Sequence, residues 1–311
     1  MPATHPLLEP DVRAAIERTV AETIGAPWSC TRFVDLGDRA SHPCGLLVGR
    51  SRTVFAKFSD TAEASLQFGL EVGGLAFVSE RSGVATPGRI GAGVIATARG
   101  SVLLLDAVEE RPRAAETDAD WEAVGRSLAV LHRARGPEFG RARDGWFGPL
   151  PQDNAPVASD RWADFYAERR VLPLLRSARD AVAIPPELVA GVERVVARLP
   201  ELVGPEPAPS LLHGDAQANN LLRTTNGTVL VDVAPYFGHP EIDLALVDYF
   251  EPVPDALWHG YRELSEIDEG FGERRELWRI FAYLAVITVD GTNPFGASFI
   301  GRLEAAVHRY R

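Results

Sequence analysis

The chain has 311 residues, 46% of them hydrophobic, and a formal charge of −11 at pH 7. This length and apolar content are enough for two domains with buried cores. The acidic balance argues against a nucleic-acid partner, because binding to phosphate backbones requires a basic surface. No stretch reaches the roughly 18 consecutive apolar residues of a membrane span, so we expect no membrane partner.

The N-terminus and the cysteines indicate a cytoplasmic protein. Residues 1–12 contain neither the basic region nor the apolar run of a signal peptide. The two cysteines, Cys30 and Cys44, have no metal-type spacing, and we interpret them as free thiols in a reducing compartment. We also expect a monomer rather than an oligomer.

The first part of the sequence predicts a helix followed by a β-meander. Apolar residues at helical spacing predict a helix over residues 10–25, closed by Gly25. Between residues 28 and 58, short apolar runs separated by turns predict antiparallel strands. The loop at residues 37–42 lies where a nucleotide-binding meander would cover the phosphates. It has a single glycine, however, and an ordinary hairpin turn explains it better.

Lys57, in the third predicted strand, is the only lysine of the chain, and the other 31 of the 32 Lys and Arg residues are arginine. This bias suggests that position 57 needs a compact ammonium group that a guanidinium cannot replace. The next predicted helix, over residues 64–80, carries Glu71 near its middle. In kinase-like folds a strand lysine binds the α- and β-phosphates and is fixed by a glutamate on the following helix, and Lys57 and Glu71 fit that order.

An apolar run at residues 103–108 predicts a buried strand that ends in a connector. We expect a hinge at about residues 104–109, where backbone groups near Asp106 and Val108 would contact adenine. Beyond it the sequence is mainly helical, apart from residues 139–161, which contain three prolines and show no periodicity. The sequence thus predicts an α+β, two-lobed fold, and the order of Lys57 and Glu71 makes it resemble the protein-kinase-like fold. An N-terminal nucleotide-binding lobe of antiparallel sheet plus helix (1–108) precedes a larger, mainly helical C-terminal lobe (109–311).

Residues 211–243 contain the polar side chains that best indicate the chemistry. Two short strands, at residues 221–222 and 228–233, are predicted to form a hairpin that brings Asp232 beside Asn220. A carboxylate and an amide oxygen can share a hard cation such as Mg²⁺, and Asp215 lies a few residues earlier on the same loop. This combination is typical of phosphoryl transfer, whereas each residue alone could mark a surface turn.

These motifs together resemble the fructosamine kinase (ketosamine kinase) family, within the aminoglycoside phosphotransferase and protein-kinase-like superfamily. The sequences VFAKF and FGLEVGGLAF are similar to the family's lysine strand and glutamate helix. The segments DGWFGPLPQDNAP and APYFGHPEIDLAL resemble stretches that distinguish fructosamine kinases from other phosphotransferases. The likeness extends from about residue 30 to the C-terminus. The family's Leu-Trp pair after the catalytic aspartate is replaced here by Ala216 and Gln217.

The resemblance implies a kinase that uses ATP and Mg²⁺ to phosphorylate a hydroxyl of a ketosamine of the fructosamine or ribulosamine type. Asp215 would be the catalytic base, and Asn220 and Asp232 would hold Mg²⁺. The lysine and glutamate described above would neutralise the α- and β-phosphates.

The remaining site residues follow from the same resemblance. His213 and Asp243 would support the catalytic loop without touching the substrate. The candidates for the acceptor pocket, which would bind a small sugar-like amine, are Gln217, Trp146, Gln152 and Asn154.

The replacement at Ala216 and Gln217 leaves the acceptor open. The chain could instead be an aminoglycoside, antibiotic or other amino-sugar phosphotransferase. From a different functional class, it could be a nucleotide-binding pseudokinase that regulates another protein. A protein kinase fits least, because no activation segment is recognisable between Asp232 and Asp243.

Overall fold

The computed structural model describes residues 5–37, 42–291 and 293–311. The chain divides into two compact units. The first comprises Met1–Asp120 and Asn219–Val233, and the second comprises Trp121–Ala218 and Ala234–Arg311. The first unit thus continues past residue 108 and also takes in a distant piece of sequence. The lobe boundary at residue 108 remains a prediction.

An antiparallel sheet of five strands dominates the first unit. In chain order these are β1 (Arg32–Asp35), β2 (Cys44–Val48), β3 (Thr53–Ser59), β4 (Arg89–Thr97) and β5 (Gly100–Asp106), and in the sheet they lie in the order β1-β2-β3-β5-β4. Helix α1 (Pro10–Ile24) ends at Gly25, which adopts the left-handed conformation, and α2 (Ala64–Ser82) joins β3 to β4. The predicted helices and meander are confirmed.

The core of the first unit lies between α1 and one face of the sheet. The apolar stripe of α1 packs against β4, and β3 and β5 contribute alternate residues to the same cluster, including Val54, Ala56, Val102 and Leu104. Because successive strand residues point to opposite faces, the residues between them, such as Lys57, belong to the other face. The core therefore determines the direction in which Lys57 points.

A hairpin of β9 (Leu221–Thr224) and β10 (Gly227–Leu230) completes the first unit. The hairpin was predicted, but the prediction that its second strand continues to residue 233 is wrong. The ladder ends at the Leu221–Leu230 pair, beyond which Val231 N donates to Asn220 O at 3.0 Å. Asp232 then adopts a φ of 55°, which strand geometry does not allow, so the chain turns away at this point.

The second unit is mainly helical, as predicted. Its helices are α3 (Asp118–Arg133), which begins at the end of the first unit, α4 (Trp162–Tyr166), α5 (Leu172–Asp180), α6 (Pro186–Ala197), α7 (Leu199–Leu202), α8 (Glu241–Leu246), α9 (Ala256–Arg262), α10 (Phe271–Asp290) and α11 (Pro294–Tyr310). Helix α10 is largely buried and packs against α5, α8 and α11, so it forms the centre of this unit. The α+β prediction is confirmed.

Three features of the second unit were not predicted. The segment at 139–161, expected to be an irregular loop, contains a short hairpin of β6 (Gly145–Phe147) and β7 (Leu150–Gln152). Between α4 and α5 the chain forms a π-helical turn, Ala167–Val171. A second small ladder pairs β8 (Ser210–Leu211) with β11 (Phe237–Gly238) and fixes the strand that leads into the loop with Asp215.

Two further expectations concern the loop at residues 37–42 and the absence of a membrane span. The loop at residues 37–42 lies largely outside the described residues, which omit 38–41. Within the described ranges, no helix has both the length and the apolarity needed to cross a bilayer.

Candidate active site

The first unit contains a cavity of about 380 Å³ whose lining comes entirely from that unit. One part of the wall is apolar and includes Leu46, Phe55, Leu105, Leu222 and Val231. The polar part consists of Lys57, Glu71, Asn220 and Asp232, together with acidic residues that follow β5. An apolar slot beside a charged end suits a ligand with a flat ring at one end and anionic groups at the other.

Lys57 reaches the polar end from the middle of β3. It pairs with Cys44 on β2 and Leu103 on β5, so its side chain leaves the sheet on the face opposite the core. Its Nζ lies 3.0 Å from Glu71 Oε2 and 2.8 Å from Asp232 Oδ1. The structure thus brings together three residues that are far apart in sequence.

This cluster has one buried ammonium and two carboxylates. Burial by itself lowers the pKa of Lys57, but Asp232 and Glu71 outweigh burial and raise that pKa above its ordinary value, so Lys57 is charged. Burial raises the pKa of Glu71 above its ordinary value, the nearby negative charge of Asp232 raises it further, and the Lys57 ammonium offsets these effects only in part. With both carboxylates ionised, the cluster carries one more negative charge than positive charge, and a cation bound at Asp232 would offset this excess.

Asn220 and Asp232 lie at the open end of the hairpin, just before β9 and just after β10. The left-handed turn at Asp232 leaves its side chain 44% exposed while still in contact with Lys57. Among the described residues no group of three or more His, Cys, Asp or Glu side chains could hold a metal. An amide oxygen plus one carboxylate nevertheless fits Mg²⁺, which usually takes its other ligands from phosphates and water.

Asp106 and Val108 both line the same cavity where β5 ends. The backbone N–H of Asp106 donates to Gly88 O at 2.7 Å, and its side chain forms an ion pair with Arg52. Because the backbone N–H is already engaged, a backbone contact of Asp106 with a ligand in the cavity would use its carbonyl oxygen. Cys44, which we interpreted only as a free thiol, also lines the cavity, and its position opposite Lys57 follows from the β2–β3 register.

The catalytic loop predicted around Asp215 lies in the second unit and is held through its backbone. Asp243 accepts hydrogen bonds from His213 N at 2.6 Å and from Gly214 N at 3.1 Å. Asp215 N donates to His213 Nδ1 at 3.2 Å. Gly214 has a φ of +84°, and a Cβ there would collide with the carbonyl of Ala234, so this position requires glycine.

His132, at the end of α3, is a supporting residue that sequence reasoning missed. Its Nε2 lies 3.1 Å from Asp243 Oδ2, and its Nδ1 lies 2.9 Å from the hydroxyl of Tyr261. His132 is 2% exposed and Asp243 is fully buried, so this contact fixes the carboxylate that holds the loop. A histidine on the apolar side of a helix gave no signal of this role.

The residues suggested for the acceptor pocket fall into two groups in the second unit. Gln217 Nε2 donates to Asp215 Oδ1 at 2.6 Å, next to the proposed base. Gln152 and Asn154 instead surround the buried Arg170, whose Nη2 donates to Asn154 Oδ1 at 2.6 Å. Trp146 is half-buried on β6 and pairs with Pro151. Arg170 was also missed, although an arginine within an apolar helical stretch could have marked it.

Comparisons with known proteins match almost the whole chain to one family. The family model described as fructosamine kinase matches residues 12–310. A probable ketoamine kinase from Synechocystis is 34% identical over 182 residues, which span 58% of this chain and 58% of that protein. A probable ketoamine kinase from Pasteurella multocida is 28% identical over 272 residues, 86% of this chain and 90% of its own.

Solved structures agree with this match. A candidate fructosamine-3-kinase from Thermobifida fusca has a TM-score of 0.78 at 29% identity and covers 94% of this chain and 99% of its own. The aminoglycoside phosphotransferase APH(4)-Ia, in complex with ADP and hygromycin B, has a TM-score of 0.62 at 15% identity. The match covers 95% of this chain and 98% of the APH(4)-Ia chain. This second likeness concerns the fold alone, and together the two confirm the kinase-like fold.

Proposed function

The chain belongs to the fructosamine kinase family, and from this premise we propose that it is an ATP-dependent kinase that phosphorylates a hydroxyl of a ketosamine. The proposal depends most on Lys57, which is buried between Glu71 and Asp232 at the polar end of a cavity. A chain that otherwise uses only arginine keeps its one lysine at this point. That choice is explained if the ammonium binds nucleotide phosphates, since Glu71 fixes its position.

The first unit would bind the nucleotide. Adenine would occupy the apolar part of the cavity and contact the backbone at Asp106 and Val108, while Lys57 would neutralise the α- and β-phosphates. Asn220 and Asp232 would hold Mg²⁺, which neutralises charge on the phosphate oxygens when bound. The cluster supports this role, because its two carboxylates face a single ammonium and a bound cation would offset the excess negative charge.

The second unit would supply the base. Asp215 would orient the acceptor hydroxyl and take its proton as the oxygen attacks the γ-phosphorus, while the bond from that phosphorus to the bridging oxygen breaks and ADP leaves. Asp243 and His132 would keep the loop in place through the backbone of His213 and Gly214. Catalysis would come mainly from positioning and charge neutralisation.

The test is ADP release by purified protein with MgATP and a panel of acceptors: fructose-lysine, ribulose-lysine, glucosamine and several aminoglycosides. We expect turnover with the ketoamines only. The Asp215→Asn variant should still bind MgATP but transfer almost nothing. Turnover by that variant at the wild-type rate would exclude Asp215 as the base, and the absence of turnover with every acceptor would contradict the proposal.

A second candidate is an amino-sugar phosphotransferase. It is favoured by Ala216 and Gln217, which stand where the family resemblance places a Leu-Trp pair beside the attacking hydroxyl. Turnover with glucosamine or an aminoglycoside, and none with the ketoamines, would identify this activity. Turnover with any acceptor would exclude a pseudokinase.

We further propose that the enzyme works in the cytoplasm as a monomer. Cys30 and Cys44 are both buried free thiols, as expected in a reducing compartment. Light scattering at micromolar concentration should give the mass of one chain, 33.8 kDa, and twice that mass would contradict the proposed monomer.

A further inference from the structure

The side chain of Gln217 makes a direct contact with the proposed base. Its Nε2 donates to Asp215 Oδ1 at 2.6 Å, a short distance for a hydrogen bond from a neutral amide. Both residues belong to the second unit and lie two positions apart on the catalytic loop. Gln217 is therefore well placed to affect the proton acceptor itself.

The backbone explains why this side chain folds back. Gln217 N donates to Asp215 O at 2.8 Å, which closes a tight turn over residues 215–217. Ala216, at the centre of the turn, is fully buried and leaves no freedom for the turn to rotate outward. The half-buried Gln217 side chain is thereby directed at the carboxylate.

The other restraints on Asp215 described above act on its backbone. His213 Nδ1 accepts from Asp215 N, and Asp243 holds the two residues before it. These contacts hold the backbone of the loop. The bond from Gln217 restricts the rotation of the Asp215 carboxylate, and a donor to a carboxylate oxygen also favours the ionised form, in which the group can act as a base.

We infer that Gln217 is a positioning residue for phosphoryl transfer, which orients the Asp215 carboxylate and stabilises its ionised form through the hydrogen bond to Oδ1. The inference rests on the proposed function, since it assumes that Asp215 is the base.

The test is the pH dependence of kcat for the wild type and three variants at position 217 with side chains of similar length. Gln217→Met removes the donor, Gln217→Glu places a second carboxylate beside Asp215, and Gln217→Lys supplies a charged donor. We expect the acid limb of the profile to move to higher pH by about 0.5 to 1 unit in the Met variant. It should move further in the Glu variant and in the opposite direction in the Lys variant.

We also expect kcat of the Met variant to fall about tenfold at neutral pH, while KM for MgATP stays unchanged. If Gln217 had a purely structural role, the variants would lose activity, but the pH of the acid limb would not follow the charge of the side chain at position 217. Because the side chain is half-buried, the variants should fold, and thermal unfolding checks this. If no acceptor has been identified, slow ADP release with water as the acceptor provides the same profile.

The outcomes separate the two proposals. If the wild type and Asp215→Asn differ by orders of magnitude but the four profiles coincide, the proposed function stands and the role of Gln217 is wrong. If the wild type releases no ADP even to water, or if Asp215→Asn is as active as the wild type, the proposed function fails and the inference fails with it.

Discussion

At the scale of single residues, Lys57 occupies a space that suits an ammonium group. Carboxylate oxygens of Glu71 at 3.0 and 3.1 Å and of Asp232 at 2.8 Å surround its Nζ. The side chain is 6% exposed and that of Glu71 is 10% exposed. A guanidinium is larger and planar, so it cannot occupy this position without displacing one of the carboxylates.

The Lys57→Arg variant should therefore lose kcat/KM for MgATP by roughly 100-fold or more, because a misplaced cation no longer neutralises the phosphates. Circular dichroism should show that the fold is retained. Arg99→Lys is a matched control: Arg99 is 53% exposed and pairs with Glu9 and Asp11 on the surface, so its replacement should leave activity unchanged. Normal turnover by Lys57→Arg would exclude the phosphate role.

His239 is a second residue whose burial has a measurable consequence. Its ring lies 5.2 Å from that of Trp278, and its Nδ1 accepts from Glu241 N at 3.2 Å. Burial, together with the positive charge of Arg274, lowers the pKa of His239 to about 3. The ring therefore stays neutral in the folded protein at pH values where an unfolded histidine, with a pKa near 6.5, takes up a proton.

This shift predicts a loss of stability in acid. Between pH 6.5 and 3 the unfolded state binds more protons at His239, so its contribution is present above pH 6.5 and is lost as the pH falls. By pH 5 the loss should be about 2 kcal/mol. His239→Asn keeps an acceptor for Glu241 N but cannot be charged. Between pH 7 and pH 5, the free energy of unfolding of this variant should fall by about 2 kcal/mol less than that of the wild type. Urea unfolding followed by tryptophan fluorescence measures both changes. Equal decreases in the two proteins would contradict the prediction.

At the scale of secondary-structure elements, the π-helical turn Ala167–Val171 places Arg170 inside the second unit. Arg170 is 1% exposed, and its guanidinium lies 4.0 Å from the ring of Tyr236. Nη1 donates to Asp153 O at 2.9 Å and Nη2 to Asn154 Oδ1. The turn lies between α4 and α5, as single π-turns usually do within longer helical stretches.

We predict that Arg170→Lys destabilises the protein by about 2 to 4 kcal/mol, because one ammonium cannot replace a fork of donors at several buried acceptors. Chemical denaturation measures this change. Arg179→Lys is the control on the following helix: Arg179 is 53% exposed and pairs only at the surface with Asp180, so its replacement should cost less than about 1 kcal/mol. Similar effects of the two variants would show that the interior position of Arg170 contributes nothing specific.

The elements also show what the sequence can predict. Helix α1 and the hairpin of β9 and β10 follow from local patterns, a helical apolar stripe ended by glycine and two apolar runs around Asn226-Gly227. The predicted end of β10 was wrong, because the left-handed conformation of Asp232 accompanies a contact with Lys57, which is distant in sequence. The π-turn was missed for the same reason, since it depends on the acceptors around Arg170.

At the scale of the whole molecule, the first unit is assembled from two separate stretches of the chain. Asn219–Val233 lies with Met1–Asp120, so the hairpin that carries Asn220 and Asp232 belongs to the same unit as Lys57. The polar residues proposed for the site, including Lys57 and Asp232, which line the cavity, could be named from sequence spacing and family resemblance. Their supports, such as His132 and the contact between Gln217 and Asp215, could not, because these depend on tertiary packing rather than local pattern.

This arrangement predicts that nucleotide binding depends on the metal. Without Mg²⁺, the phosphates of ATP would meet Asp232, which is 44% exposed, and Glu71, with Lys57 as the only cation of the cluster. Mg²⁺ held at Asn220 and Asp232 would reverse the local charge, and the phosphates would then be attracted. MgATP at 100 times its Kd should therefore raise the free energy of unfolding by about 2.7 kcal/mol, whereas ATP with EDTA should give a much smaller increase. Thermal unfolding of the wild type and of Asp232→Asn measures both values, and the variant should lose most of the metal-dependent difference. Equal protection by ATP with and without EDTA would mean that Lys57 binds the phosphates unaided and that Asp232 is not a metal ligand.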